Sequence, residues 1–117
     1  MVSVLLCSRD ASLSRLLGWN LSRRGYDVRH ATWDPSYQTA EGPPVLTDAD
    51  IVISDLSCPE PDCWVAASRV RQLTTTLPVV FLAYCWPDER QLRTLDPCIY
   101  LRKPCAVDEL IRSLRDL

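Results

Sequence analysis

The chain is short of the residues that ready-made catalytic and cofactor motifs require. Of its 117 residues three are glycine, Gly18, Gly25 and Gly42. Their positions exclude both a P-loop and the Gly-x-Gly-x-x-Gly turn of dinucleotide binders, which need closely spaced glycines for backbone approach to phosphate. There is one histidine, His30. A single imidazole leaves little room for Ser-His-Asp catalysis. With no Cys-x-x-Cys pair, the closest cysteines being Cys58 and Cys63, a zinc site of standard ligand spacing is unsupported. An excess of positive charge is missing too. Thirteen basic residues against fifteen acidic ones give a formal net charge of -2 and a pI near 5.3. That is not the basic footprint of a nucleic-acid binder, so no direct nucleic-acid contact is expected from this domain. No apolar run approaches the ~20 residues of a membrane span. Met1-Val2-Ser3 leads straight into an apolar stretch without the basic start of a signal peptide. The expectation is a cytoplasmic domain with no membrane contact.

What the chain does have is enough apolar residue for one core. At 117 residues and 47% hydrophobic content it is read as a single domain over residues 1–117. Its six cysteines are Cys7, Cys58, Cys63, Cys85, Cys98 and Cys105. A full-sized core pattern and the absence of a secretory segment argue against a disulfide scaffold, and reduced thiols are expected. Twelve of the thirteen basic residues are arginine, and the exception is Lys103.

Apolar periodicity sets out the elements. Val2–Cys7 reads as a strand, and Leu13, Leu16, Leu17 and Leu21 mark one face of a helix ending near Arg24, with Gly25 in the following C′ position. Tyr26–Ala31 is a shorter, more polar strand, as at a sheet edge. From Thr32 to Asp48 the prolines Pro35, Pro43 and Pro44 leave room only for a short or distorted second helix near Ser36–Glu41. Ile51–Ser54 is a buried strand, and Asp55 stands at its carboxyl end. A third helix carries Trp64, Val65, Ala67, Val70 and Leu73 as its predicted core residues. Val79–Leu82 is a fourth strand, Asp88–Leu95 a fourth helix, Cys98–Leu101 a fifth strand, and Val107, Leu110, Ile111 and Leu114 space a final helix. This alternation predicts an α/β domain, a doubly wound five-stranded parallel sheet with helices on both faces. Ligands of such sheets bind above the strand ends, where Asp55 is expected.

Asp55 closing the third strand, Lys103-Pro104 directly after the fifth, and the Val107-Asp108-Glu109-Leu110 helix that follows resemble, in this order, the receiver domain of bacterial two-component response regulators. The likeness runs through the whole chain. Its pieces are Val4-Leu5-Leu6-Cys7, Ile51-Val52-Ile53-Ser54-Asp55-Leu56, Leu77-Pro78-Val79-Val80-Phe81-Leu82 and Tyr100-Leu101-Arg102-Lys103-Pro104. The resemblance implies a flavodoxin-like fold with strand order 2-1-3-4-5, and a signalling module in place of an enzyme. It implies that Asp55 is the phosphoacceptor position and that Lys103 contacts phosphoryl oxygens. It further implies a cis Lys103-Pro104 bond and a switch aromatic at Tyr100.

Three positions depart from that pattern. The family places two consecutive acids after the first strand, which with the acceptor hold Mg²⁺, a hard cation wanting oxygen ligands. Here those positions are Ser8 and Arg9. Asp10 follows one residue late, where an Asp acts as a helix N-cap. The Ser/Thr at the end of the fourth strand is Ala83, which has no hydroxyl to report phosphorylation. The expectation is therefore an atypical receiver without metal or other cofactor, in which Arg9 and Lys103 neutralise Asp55. Its work would be protein association independent of Mg²⁺-dependent aspartyl phosphorylation. A homodimer through the fourth helix, fifth strand and fifth helix is the expected partner, with Tyr84 and Trp86 as exposed aromatic anchors. A DNA-binding output domain would follow Leu117. Three alternatives stand beside this reading. One is a phosphoacceptor with weak metal held by Asp10 and Asp55. Another is a thiol sensor built on Cys7, Cys58, Cys85 and Cys105 near Arg9 and Lys103. The third is a small-molecule binder.

Overall fold

Each apolar run becomes a strand: β1 Ser3–Cys7, β2 Asp27–Ala31, β3 Ile51–Asp55, β4 Val79–Ala83 and β5 Cys98–Arg102. Four helices lie between and after them, α1 Ala11–Arg23, α2 Cys63–Leu73, α3 Glu89–Thr94 and α4 Val107–Arg115. The structure, a computed structural model, describes residues 1–37, 42–46, 48–57 and 63–117. All strand pairs are parallel. The order is β2-β1-β3-β4-β5, the flavodoxin-like arrangement that the resemblance implied.

The strands read as continuous apolar runs because both faces of the sheet are covered. Alternate side chains enter two cores. Leu5, Cys7, Val52, Val79 and Phe81 pack with Ala66, Ala67 and Val70 of α2. Val4, Leu6, Ile53, Val80 and Leu82 pack with Leu17 and Leu21 of α1 and with Leu110, Ile111 and Leu114 of α4. Edge strand β2 exposes Asp27, Arg29 and His30, and its charges guard an unpaired ladder.

Helix α1 begins as expected. The Asp10 carboxylate accepts from the backbone N–H groups of Ser12 and Leu13, the N-cap arrangement. The helix ends before Gly25, whose φ of +90° is the left-handed conformation that a C′ glycine supplies. Helix α3 is closed at its start by a capping box between Asp88 and Gln91.

Two expectations change. Helix α2 is rotated relative to the predicted face: Cys63, Ala66, Ala67, Val70 and Arg71 are buried, while Val65 and Leu73 face solvent and Trp64 is half-buried. The reason is a buried arginine. Arg71 donates to the carbonyls of Thr74 and Leu77 through Nη1 and of Pro97 through Nη2, tying the exit of α2 to the starts of β4 and β5. Between β2 and β3 no helix occurs among the described residues, and residues 38–41 of the expected short helix lie outside them. Lys103-Pro104 is cis, as is Asp96-Pro97.

Candidate functional site

Because all five strands run the same way, their carboxyl ends form one edge, and the register decides which side chains meet there. Cys7 pairs with Ser54, Asp55 with Leu82, and Ala83 with Arg102. The residues just past those positions, Ser8 and Lys103, therefore flank Asp55. The Lys103 backbone N–H donates to the Ala83 carbonyl at 2.7 Å, which anchors the lysine to the end of β4.

Asp55 is buried and both of its oxygens are taken. Ser8 Oγ donates to Oδ2 at 2.7 Å, and Lys103 Nζ pairs with Oδ1 at 2.6 Å. Ser8 is itself buried, and its Oγ also accepts from the Asp10 backbone N–H at 3.0 Å. Tyr84 lays its ring against the ammonium, with Nζ 4.3 Å from the ring centroid. A compact ammonium between a carboxylate and an aromatic face is well compensated for its lost hydration.

Arg9 does not join this pair. Its guanidinium stacks over the Tyr37 ring at 4.8 Å, and it makes no ion pair among the described residues. Among the described residues Lys103 alone supplies the countercharge to Asp55, which corrects the expectation of two cations. A flat guanidinium gains from an aromatic face while staying hydrated at its edge, so a half-exposed tyrosine competes well with a buried carboxylate already holding partners. Asp10 is spent on the α1 cap through Oδ1.

Sequence reasoning missed Asp34. It is buried, receives the Ser36 N–H on Oδ1 at 2.8 Å and the Ser57 N–H on Oδ2 at 3.1 Å, and Ser57 Oγ also donates to Oδ2. Asp34 thus fixes the chain two residues after Asp55. The signal was present as Asp34-Pro35-Ser36, since an Asp that accepts from the N–H two residues on forms an Asx turn. A cavity of about 430 Å³ opens over these groups, walled by Arg9, Asp10, Asp34, Asp55, Tyr84 and Lys103 among others.

Ala83 is buried at the end of β4. On β5, Tyr100 is also buried, its ring 5.8 Å from that of Phe81 and 5.3 Å from that of Trp86, the latter edge-on. Trp86 and Tyr84 are each more than half exposed, at 51% and 58%. Pro104 and Cys105 line a second, apolar cavity of about 240 Å³ between α1 and α4 that reaches Asp55 and Lys103.

The cysteines depart from the expectation of reduced thiols at one pair, where the structure joins Cys63 to Cys85 in a disulfide. Both are buried, and the loop after β4 brings Cys85 to the first turn of α2, a meeting that their separation of 22 residues does not announce. Cys7, Cys98 and Cys105 are free, and Cys58 lies outside the described residues. Burial pushes the Cys7 thiol up to about 12. Cys98 and Cys105 are raised to about 11, by burial first and then by Asp96 and Glu109 respectively.

No protein-family model matches the chain. It is 28% identical over 121 residues to the DNA-binding dual master transcriptional regulator RpaA of Synechocystis, an alignment covering all of this chain and 49% of that protein. A CheY-like response regulator from Mesorhizobium loti is 28% identical over 98% of this chain and 97% of its own, with a TM-score of 0.67. The chain is thus similar over its whole length to response regulator receiver domains in sequence and in fold. The non-phosphorylated HemR receiver of Leptospira biflexa, at 24% identity and 99% and 93% coverage, superposes with a TM-score of 0.74. CheY4 of Vibrio cholerae, at 22% identity and 99% and 98% coverage, gives 0.70. The chain spans about half the length of the curated relative it matches. None of its helices in the described residues is long and apolar enough to cross a membrane. Nor do three His, Cys, Asp or Glu side chains group so as to hold a metal ion among those residues.

Proposed function

We propose that this receiver is an atypical one, a protein-association module whose state is set by means other than Mg²⁺-dependent phosphorylation of Asp55. One observation carries the reading. Ser8, standing where the family has an acid, donates to one oxygen of Asp55 while Lys103 holds the other. Phosphoryl transfer onto a carboxylate brings negative charge onto negative charge, and a divalent ion between acidic ligands offsets it. The donor set here does not fit that ion. A hard divalent cation wants several anionic or carbonyl oxygens. Ser8 is a neutral group whose proton points at Asp55, and the Asp10 carboxylate is used on a helix cap. We therefore assign no step to a metal.

The output side agrees. Ala83 offers no hydroxyl, and Tyr100 already lies inside between Phe81 and Trp86, so the aromatic has no inward turn left to make. The surface formed by α3, β5 and α4, with Trp86 and Tyr84 exposed beside it, is the proposed homodimer face. The likeness to RpaA, named as DNA-binding, supports an output domain of that kind in the full protein, with this domain making no nucleic-acid contact of its own. The alternative phosphoacceptor requires Asp10 to leave the α1 cap and Ser8 to release Asp55. A thiol sensor on Cys7 or Cys105 is disfavoured because burial stabilises the unreactive thiol form.

The test is incubation with a small-molecule phosphodonor and Mg²⁺, followed by intact mass. The expected spectrum shows the unmodified chain. A stoichiometric adduct on Asp55 overturns the reading.

A further inference from the structure

A cavity of about 300 Å³, lined by Ser8 and Arg9 but not by Asp55, lies between the start of α1 and the ends of β1 and β2. Its walls include Arg9, Arg15 and His30, together with the hydroxyl-bearing residues Ser8, Ser14 and Thr32. No acidic side chain lines it among the described residues. That is unusual in a chain of net charge -2. None of the three basic groups is paired with a carboxylate among the described residues, since the ion pairs there are Arg93 with Glu89 and Lys103 with Asp55. The α1 cap is already filled by Asp10, so side chains and not the helix end supply the charge.

The imidazole is brought to this cavity by a feature of α1. A glycine inside a helix costs about 1 kcal/mol relative to alanine. Gly18 is such a residue, buried on α1, and a Cβ there would stand 2.6 Å from His30 Cε1 and 2.9 Å from Nε2. The missing methyl is the room in which the ring lies against the helix. Register completes the placement, because His30 and Ala31 pair with Leu6 and Cys7, and the Ser8 N–H donates to the Ala31 carbonyl at 2.9 Å.

We infer that this cavity, bounded by Arg9, Arg15 and His30, is an anion-binding site that takes a phosphate group, free or carried as the monoester of a small molecule. Two guanidiniums offer the planar donor forks that match phosphate oxygens, and the hydroxyls of Ser14 and Thr32 can donate to the remaining lone pairs, the Ser8 proton being held by Asp55. The volume exceeds what a bare phosphate fills, which leaves space for a small organic substituent. Ser8 makes the site consequential, because the side chain that lines this cavity also holds Oδ2 of Asp55. An anion drawn in by the arginines therefore acts on the residue that stands where the family has an acid. The inference goes beyond the reading of the Asp55 site and does not depend on it.

The test is a titration of the 117-residue chain, without Mg²⁺, followed by backbone amide NMR shifts at constant ionic strength. Inorganic phosphate is one arm, glycerol phosphate the second, and chloride the control. The expected result is saturable shifts at Ser8, Ser14, His30 and Thr32 with phosphate and not with chloride. Tighter binding of the monoester identifies an organic ligand, and equal binding identifies free phosphate. Arg15→Gln, an exposed position, should weaken binding about tenfold, the loss of one hydrogen bond to a charged group. Gly18→Ala should leave the fold intact while moving the imidazole aside, and should weaken binding several-fold. Shifts centred on Ala83, Tyr84 and Lys103 would overturn the inference, as would an unchanged affinity in Arg15→Gln or a response equal to that of chloride. An adduct on Asp55 in the phosphodonor experiment would leave this site standing.

Discussion

Arg71 and Lys103 are cations withdrawn from water at opposite edges of one sheet, and their partners differ in kind. Arg71, at the amino ends of β4 and β5, is 8% exposed and meets three backbone carbonyls, with no carboxylate in hydrogen-bonding contact among the described residues. Burial lowers its pKa from the ordinary guanidinium value, opposed by Cys98 and Asp96. Lys103, at the carboxyl edge, meets the Asp55 carboxylate and an aromatic face. Carbonyls are fixed by the fold and carry no net charge. A carboxylate can be protonated, esterified or replaced by a neutral isostere. One edge is therefore a clamp, and the other is a pair whose balance a single chemical change can upset.

That contrast can be broken by mutation, and the largest effect is expected at the clamp. Arg71→Met removes three hydrogen bonds from a charged donor, leaving the Pro97 carbonyl only the Val79 N–H, and should destabilise the chain by about 4 kcal/mol in urea unfolding. With no acid bonded to it, no neutralising second substitution should rescue it. Lys103→Met leaves Asp55 as an uncompensated buried charge and should cost about 3 kcal/mol. Here rescue is expected: adding Asp55→Asn to Lys103→Met should recover most of the loss. A double mutant no more stable than Lys103→Met would show that packing and not charge holds the site together.

Cys7 sharpens the comparison, because its thiol has neither kind of partner and stays neutral by burial. Its pKa rises from 9.0 to about 12, so above pH 9 the unfolded chain loses its proton first and stability falls as pH rises. The slope is about 1.4 kcal/mol per pH unit for each such thiol. Cys7→Val should flatten part of the decline between pH 9 and 12 while changing little at neutral pH. The smallest effect belongs to Ser8→Ala, which removes one hydrogen bond from a carboxylate that keeps its lysine and one from the Asp10 N–H, about 2 kcal/mol in the same unfolding measurement.

The strands were legible because a sheet covered on both faces writes itself as apolar runs. Where the predicted ends fell short, at Asp55, Ala83 and Arg102, the extra residue is polar or small and periodicity carries no sign of it. Asp55 and Lys103 were legible from their places after β3 and β5, and Ser8 from the absence of an acid. The pose of Arg9 was not, since four rotatable bonds let its head choose between a carboxylate and a ring, and only the neighbourhood decides. The inner face of α2 differs from the one that apolar spacing predicts because Arg71 turns inward, where carbonyls from three separate positions converge to solvate it. Asp34 was overlooked because it sits in the irregular segment before Pro35, where no periodicity directs the eye.

The stack of Phe81, Tyr100 and Trp86 runs from the interior core to the surface, and so it makes the domain self-reporting. The indole of Trp86 touches the β5 ring on one side and meets solvent on the other. Displacement of that ring should alter the colour and intensity of the indole's emission. A variant retaining Trp86 and no other tryptophan would thus let a fluorimeter follow the inner face of β5 in unlabelled protein.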